Sequence, residues 1–223
     1  MNVQEATTRR LPDLKGRYLP ENCRETINTI LKETYGYEQF RNLEIYDDLS
    51  KGKEKLCISQ GQLIENVILE VEKAWKGETQ VDNILLTAPT GSGKSLLFQL
   101  PAIYLGKEYN LLTIVVSPLK ALIVDQVESL QELGYTRVAY ASSDLSPEQK
   151  MEVYRQVREG EIDLFYLSPE LLLSYDIKHF VGERRIGLVV VDEAHTVTTW
   201  GKEFRVDYWF LGRYLTALKQ TLG

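Results

Sequence analysis

The stretch Ala88-Pro89-Thr90-Gly91-Ser92-Gly93-Lys94-Ser95 decides how the rest of this sequence is interpreted. It follows the apolar run Ile84-Leu85-Leu86 and precedes Leu96-Leu97-Phe98-Gln99-Leu100, which has helical spacing. A strand, a glycine-rich loop and a helix in this order predict a P-loop, whose backbone N–H groups hold phosphate oxygens at the positive end of the helix. Lys94 can reach the β- and γ-phosphates, and the hydroxyl of Ser95 suits Mg²⁺. The predicted nucleotide-binding residues are Thr90, Gly91, Ser92, Gly93, Lys94 and Ser95.

Composition limits the classes of protein to which the chain can belong. Its 223 residues, 43% of them apolar, suffice for one large domain, or for one domain with an appendage. No apolar run approaches the ~20 residues of a membrane span, and residues 1–10 lack the apolar core of a signal peptide. Cys23 and Cys57 are isolated, so neither a zinc site nor a disulfide framework is indicated. We expect a cytoplasmic protein with no membrane partner.

The net charge of −6 argues against nucleic-acid binding by a broadly basic surface. Any nucleic-acid contact must therefore come from local loops or from a partner domain. The polar segment 1–20 is predicted to be a flexible arm. A solvated tail is favoured there over a basic arm that binds nucleic acid.

Residues 21–80 are predicted to form an N-terminal helical segment. A helix over 21–35 ends at Gly36, and a second helix covers 62–76. The charged stretch 47–55 between them is typical of a surface loop or insertion. The predicted buried stripe of the second helix is Ile64, Val67, Ile68, Val71 and Trp75.

Residues 81–223 are predicted to form an α/β domain, a parallel sheet with helices on both faces. After the P-loop, strands are predicted at 112–116, 138–140, 163–167 and 186–191. They alternate with helices at 94–105, 119–133 and 147–158 and a short helix or turn at 169–174. Leu119 and Leu133 are predicted to point inward from the second of these helices. In such sheets ligands gather at the carboxyl ends of the strands.

The last predicted strand ends in the acidic pair Asp192-Glu193. Carboxylates at the tip of an apolar strand are costly unless they hold a cation or take part in chemistry. For an isolated pair we would favour helix capping. Together with Lys94-Ser95 on the same sheet, the pair instead predicts that Asp192 holds the Mg²⁺ of a nucleotide through its water shell. Glu193 would then deprotonate the attacking water.

The tetrad Asp192-Glu193-Ala194-His195, with the P-loop, resembles the superfamily 2 helicases of the DEAD/DEAH kind, and most closely their RecQ-like branch. The resemblance covers about residues 35–212. It implies a P-loop NTPase domain of the RecA-like fold, the cofactors ATP and Mg²⁺, and a nucleic-acid partner, with DNA favoured over RNA. The catalytic residues that it implies are Lys94, Asp192, Glu193 and His195, of which His195 would link the site to nucleic acid.

Three further stretches carry the resemblance. Ser117–Leu122, with Asp125-Gln126-Val127, is similar to motif Ia of that branch, and Leu167–Leu172 is similar to motif Ib. The stretch 195–208 resembles its aromatic-rich loop, although Thr199 and Lys202 replace a usual Gln and His. A buried helix face is the alternative explanation for its aromatic spacing, and a single-strand stacking platform is favoured for its first two aromatics. These matches assign to nucleic acid Ser117, Pro118, Leu119, Ser168, Pro169, Glu170, Trp200, Lys202, Phe204 and Arg205.

An adenine-reading motif is also implied by the resemblance, with Tyr37 stacking on the base and Arg41 and Gln62 reading its edge. Residues 42–60 interrupt this motif by about eighteen residues. Either the insertion bulges away and leaves the site intact, or adenine specificity is weakened.

The resemblance also implies a second RecA-like domain, in cis or in trans, that supplies arginine fingers to the nucleotide. We therefore expect these residues to be the first motor domain of a longer protein and to be poorly active alone. The alternative function is a non-catalytic ATP-binding scaffold or regulatory subunit. A P-loop kinase or GTPase is disfavoured, because no Asn-Lys-x-Asp string occurs.

Overall fold

A computed structural model describes residues 20, 22–46, 55–87, 91–194 and 210–217. The chain divides into two compact units, Met1–Tyr104 and Leu105–Gly223. Among the helices of the described ranges, none has the length and apolar character needed to cross a membrane. The predicted arm at 1–20 lies almost entirely outside these ranges.

In the described residues of the first unit, two helices and a hairpin precede the P-loop. Helix α1 (Glu25–Tyr35) is followed by the antiparallel strands β1 (Asn42–Tyr46) and β2 (Lys55–Ser59), and then by helix α2 (Gln60–Trp75). Gly36 ends α1 in the left-handed conformation, with φ 69°, as predicted from its position. The predicted insertion is therefore built on a β-hairpin, which the charged sequence did not indicate.

Arg24 ties the start of α1 to α2. Its guanidinium contacts Glu65 Oε1 at 2.5 Å and Glu72 Oε1 at 2.6 Å, and it lies 4.8 Å from the ring centroid of Tyr104. The neighbouring Cys23 is held protonated, because burial and then the negative charge of Glu65 raise the pKa of its thiol to about 12. This part-buried network holds the start of α1 against α2.

Helix α3 (Leu96–Tyr109) follows the P-loop and carries the chain from the first unit into the second. There the elements are β3 (Leu112–Val116), α4 (Lys120–Glu132), β4 (Val138–Ala141), α5 (Pro147–Arg158), β5 (Leu164–Leu167), α6 (Pro169–Ser174), α7 (Ile177–Val181) and β6 (Ile186–Val191). A further helix occupies 210–217. The four strands form one parallel sheet in the order β4-β5-β3-β6.

Helices cover both faces of this sheet, as predicted. Phe165 faces the apolar cluster that contains Tyr154 of α5 and Phe180 of α7. The next residue, Tyr166, projects to the opposite face, where its hydroxyl donates to Oε1 of Gln126 on α4 at 3.0 Å. The predicted α/β architecture is confirmed in this unit.

Several expectations from the sequence are wrong in detail. The run Ile84-Leu85-Leu86 is not a strand in the described structure, and Leu85 is 69% exposed. A strand is defined by backbone pairing, and neither described sheet includes these residues. Trp75, Leu119 and Leu133 are exposed although they were predicted to point inward, because each lies at or beyond a helix end, where periodicity no longer determines burial.

Candidate functional site

The P-loop begins in the described structure at Gly91, since 88–90, including Thr90, lie outside it. Gly91 and Gly93 have φ angles of +79° and +77°, a backbone conformation that residues other than glycine rarely adopt. The backbone N–H of Leu96 donates to the carbonyl of Gly93 at 3.2 Å, so the loop runs directly into the first turn of α3. Lys94 and Ser95 lie half-buried at this turn. The backbone at the N-terminus of a helix favours negative charge.

Gln60, rather than the predicted Gln62, lies beside this loop. Its Nε2 donates to the carbonyl of Ser92 at 3.0 Å, and its side chain is only 2% exposed. The side chain of Gln62 is used elsewhere: Oε1 accepts from the N–H of Ser59 at 3.0 Å, and Nε2 donates to the carbonyl of Pro20 at 3.2 Å. The spacing Ser59-x-x-Gln62 is a capping-box signature, so the sequence itself held the signal that Gln62 was already engaged.

The other two residues of the predicted adenine motif lie in the same unit. Tyr37 is 50% exposed, and its ring stacks on Tyr35 with centroids 6.3 Å apart. The hydroxyl of Tyr35 donates to Gln99 Oε1 at 2.9 Å, which orients the pair. Arg41 is exposed, and its backbone N–H donates to Oε1 of Gln60 at 3.2 Å. The insertion thus leaves Arg41 and Gln60 in contact, although eighteen residues separate them in the chain.

In the second unit, polar residues follow the carboxyl ends of β3 and β6. The N–H of Asp192 donates to the carbonyl of Val116 at 2.9 Å, so Asp192 lies next to the end of β3, where Ser117 follows. Glu193 adopts a φ of 51°, a strained conformation for a residue that is not glycine. Its N–H donates to Asp192 Oδ1 at 2.9 Å, which holds the turn. Both carboxylates are half-buried.

A buried hydrogen-bonded chain leads to Asp192. Tyr166, fully buried, donates through its hydroxyl to Gln126 Oε1 at 3.0 Å. Gln126 Nε2 then lies 3.4 Å from Asp192 Oδ2. Sequence reasoning placed Gln126 within motif Ia without giving it a role, because this contact joins positions 66 residues apart.

The predicted nucleic-acid residues fall into three groups. Ser117 is buried, and its hydroxyl has no hydrogen-bond partner among the described residues, whereas Leu119 beyond Pro118 is exposed. The hydroxyl of Ser168 caps α6 by accepting from the N–H of Leu171 at 3.2 Å, Pro169 is buried, and Glu170 is exposed. His195, Trp200, Lys202, Phe204 and Arg205 lie outside the described residues.

The described residues contain no cluster of three or more histidine, cysteine, aspartate or glutamate side chains that could hold a metal ion. Mg²⁺ in nucleotide sites commonly needs only one or two carboxylates, together with phosphate oxygens and water. Ser95, in the first unit, and Asp192, in the second, are the donors of that chemistry which the sequence singled out. Each offers an oxygen donor of the kind that Mg²⁺ takes.

Comparison with known proteins identifies the family. Residues 65–222 match the family model described as DEAD/DEAH box helicase. An ATP-dependent DNA helicase RecQ from Synechocystis sp. is 34% identical over 202 residues, which cover 90% of this chain and 35% of that protein. The Bacillus subtilis protein of the same name is 38% identical over 126 residues, covering 56% of this chain and 20% of the relative.

Among solved structures, the DUF1998 helicase MrfA bound to DNA and AMPPNP is similar with a TM-score of 0.48 and 22% identity. That match covers 81% of this chain and 22% of the other. The chain spans about a third of the length of its Synechocystis relative and less of the Bacillus protein. The family model, however, matches well over half of the chain. On this evidence the chain belongs to the DEAD/DEAH box helicase family.

Proposed function

We propose that this chain is the ATP-binding motor half of an ATP-dependent DNA helicase or translocase. The observation that carries the proposal is the P-loop geometry of residues 91–95 at the start of α3, in a chain whose apolar strand β6 ends in Asp192-Glu193. The relatives that resemble it are named ATP-dependent DNA helicase RecQ, which supports ATP and DNA as the ligands. A cytoplasmic location is part of the same proposal.

Each residue of the nucleotide site has a distinct role in this proposal. Lys94 would compensate phosphate charge, and Ser95 and Asp192 would hold Mg²⁺. Bound Mg²⁺ would polarise the phosphates and neutralise charge that develops during transfer. Glu193 accepts the proton of the attacking water. His195 links this site to the nucleic-acid loops.

Adenine is proposed to bind against Tyr37, whose exposed ring offers a stacking face. Arg41 and a glutamine amide read the base edge. We assign the amide to Gln60 rather than Gln62, because Gln60 contacts both Arg41 and the P-loop. A glutamine amide offers two donors and two acceptor lone pairs, so its two protein contacts do not use its full hydrogen-bonding capacity.

Nucleic acid is proposed to bind through backbone amides and hydroxyls at strand ends, because the net charge of −6 gives no broadly basic surface. The residues proposed for this contact are Ser117, Pro118, Leu119, Ser168, Pro169, Glu170, Trp200, Lys202, Phe204 and Arg205. A second RecA-like domain, in cis or in trans, would complete the site with arginine fingers.

The deciding experiment is the ATPase rate of the longest natural form of the protein, with and without single-stranded DNA, beside its Lys94→Ala variant. We expect stimulation by DNA that the variant loses, because Lys94 is the positive side chain of the phosphate loop. Stimulation by RNA alone would replace the DNA assignment. Absence of stimulation by either nucleic acid would instead favour the non-catalytic scaffold.

Gln126→Leu is expected to lower kcat for ATP about 10-fold and to raise the Mg²⁺ concentration needed for half-maximal rate, because partners of metal-holding groups orient them. The measurement is a Mg²⁺ titration of the ATPase rate. Gln131→Leu is the matched control, since Gln131 is an exposed glutamine on the same helix. An unchanged Mg²⁺ requirement in Gln126→Leu would show that Gln126 does not position Asp192.

A further inference from the structure

The hairpin formed by β1 and β2 returns the chain to the point that it left. Its register runs from Tyr46↔Lys55 to Asn42↔Ser59, and the next pair continues the ladder because the N–H of Gln60 donates to the carbonyl of Arg41 at 2.9 Å. Within the described residues, the two strands pair only with each other. Two-stranded sheets are marginally stable in water. The stability of this hairpin therefore depends on the contacts at its base, where β1 begins and β2 ends.

The base is held firmly on the side of α2. Ser59 is both the last residue of β2 and the N-cap of α2, and its hydroxyl accepts from the N–H of Gly61 at 3.2 Å. A Cβ placed on Gly61 would lie 2.7 Å from Cδ2 of Phe40, so backbone and ring are in close contact there. Movement of the hairpin relative to α2 would disturb both the cap and this contact.

One side chain connects the base to the phosphate loop. The amide of Gln60 accepts from the N–H of Arg41 with Oε1 and donates to the carbonyl of Ser92 with Nε2, at 3.2 and 3.0 Å. A Cβ on Gly93 would lie 2.8 Å from the same Nε2, so the amide and the loop backbone are packed together. A buried amide that loses one of these partners would carry an unmet hydrogen-bonding group. The conformation of the phosphate loop and the pairing at the base of the hairpin therefore depend on the same side chain, that of Gln60.

We propose that Gln60 is a positioning residue that couples the inserted hairpin to the phosphate loop. A nucleotide phosphate in the loop then stabilises the pairing of β1 with β2. Coupling between two sites is reciprocal, so anything that orders or displaces the hairpin changes nucleotide affinity by the same factor. The insertion thereby regulates the affinity of the phosphate loop for nucleotide. This inference rests on the proposed function, because it requires that nucleotide binds the P-loop.

The test is hydrogen exchange of the full chain with and without saturating ADP and Mg²⁺, with ADP binding measured on the same samples by calorimetry. Exchange of the amides in 43–46 and 55–58 is expected to slow about 5-fold in the unmodified chain, the factor that corresponds to one net hydrogen bond. Gln60→Glu should abolish this protection. It keeps the acceptor for Arg41 but loses the donor to Ser92, with nearly unchanged shape.

Gln62→Ala is the matched control. It removes contacts to Ser59 and Pro20 but leaves the bond between Gln60 and Ser92, so ADP-dependent protection should persist. ADP binding without any slowing in the unmodified chain would overturn the coupling and leave the proposed function intact. Protection that survives in Gln60→Glu at saturating ADP would overturn it as well. Failure of the unmodified chain to bind ADP would overturn the proposed function and the coupling together.

Discussion

Glu193→Gln is expected to lower kcat for ATP hydrolysis by ~10²–10⁴-fold, the contribution typical of a general base. Glutamine keeps the shape of the side chain and can still hold a water molecule by a hydrogen bond, but it cannot accept a proton at neutral pH. The strained φ of 51° at Glu193, held by the bond from its N–H to Asp192, is unchanged by this substitution. Folding and nucleotide binding should therefore survive while the chemical step fails.

The measurement is single-turnover ATP hydrolysis by the longest natural form, together with the binding affinity for a non-hydrolysable ATP analogue. Glu183→Gln is the control, because the Glu183 side chain is 90% exposed and has no proposed role. A Glu193→Gln variant with an unchanged rate would remove Glu193 from the catalytic role. Loss of analogue binding would instead mean that the substitution disrupts the site itself.

Asp163→Asn is expected to lower the free energy of unfolding by ~3–5 kcal/mol, the usual cost of breaking a buried ion pair from one side. Asp163 is fully buried, with Oδ2 2.6 Å from Nε of Arg137 and Oδ1 3.0 Å from Nη2 of Arg184. Burial lowers the pKa of Arg184, whose side chain is 5% exposed, and the neighbouring Asp163 opposes this shift. Asparagine would leave that buried guanidinium without a countercharge. Urea unfolding, followed by circular dichroism, measures the loss.

Gly106→Ala tests the same cluster without changing its charge. Alanine normally stabilises a helix interior relative to glycine by ~0.5–1 kcal/mol. Here the added Cβ would lie 2.3 Å from Cγ of Asp163, so we expect the sign to reverse. Glu152→Gln, which removes one exposed partner of Arg155, is the control and should have little effect. Equal stability of Asp163→Asn and the unmodified chain would contradict the assigned importance of the cluster.

Features whose cause lies within one turn or strand could be predicted from the sequence alone. The P-loop string predicts left-handed backbone at Gly91 and Gly93, because glycine alone adopts it without strain. Ser146 and Gln149 form the capping box of α5, which the spacing Ser-x-x-Gln predicts because the two partners lie three residues apart. The continuous apolar run of β3 correctly indicated a strand buried on both faces. These local signals sufficed for the α/β class and for the family.

Contacts between distant residues could not be predicted from the sequence, because they depend on how the whole chain folds. Whether the apolar run at 84–86 pairs as a strand depends on a neighbouring ladder, and the described sheets include none for it. The alternation of polar and apolar residues in β1 and β2 is short. The pairing of these strands, which brings Arg41 back to Gln60, was therefore not evident from the charged insertion. Likewise Gln60 and Gln62 are chemically identical, and only their contacts separate a residue at the phosphate loop from a helix cap. Sequence records the hydrogen-bonding capacity of such groups, whereas the partners that satisfy it are set by the folded chain.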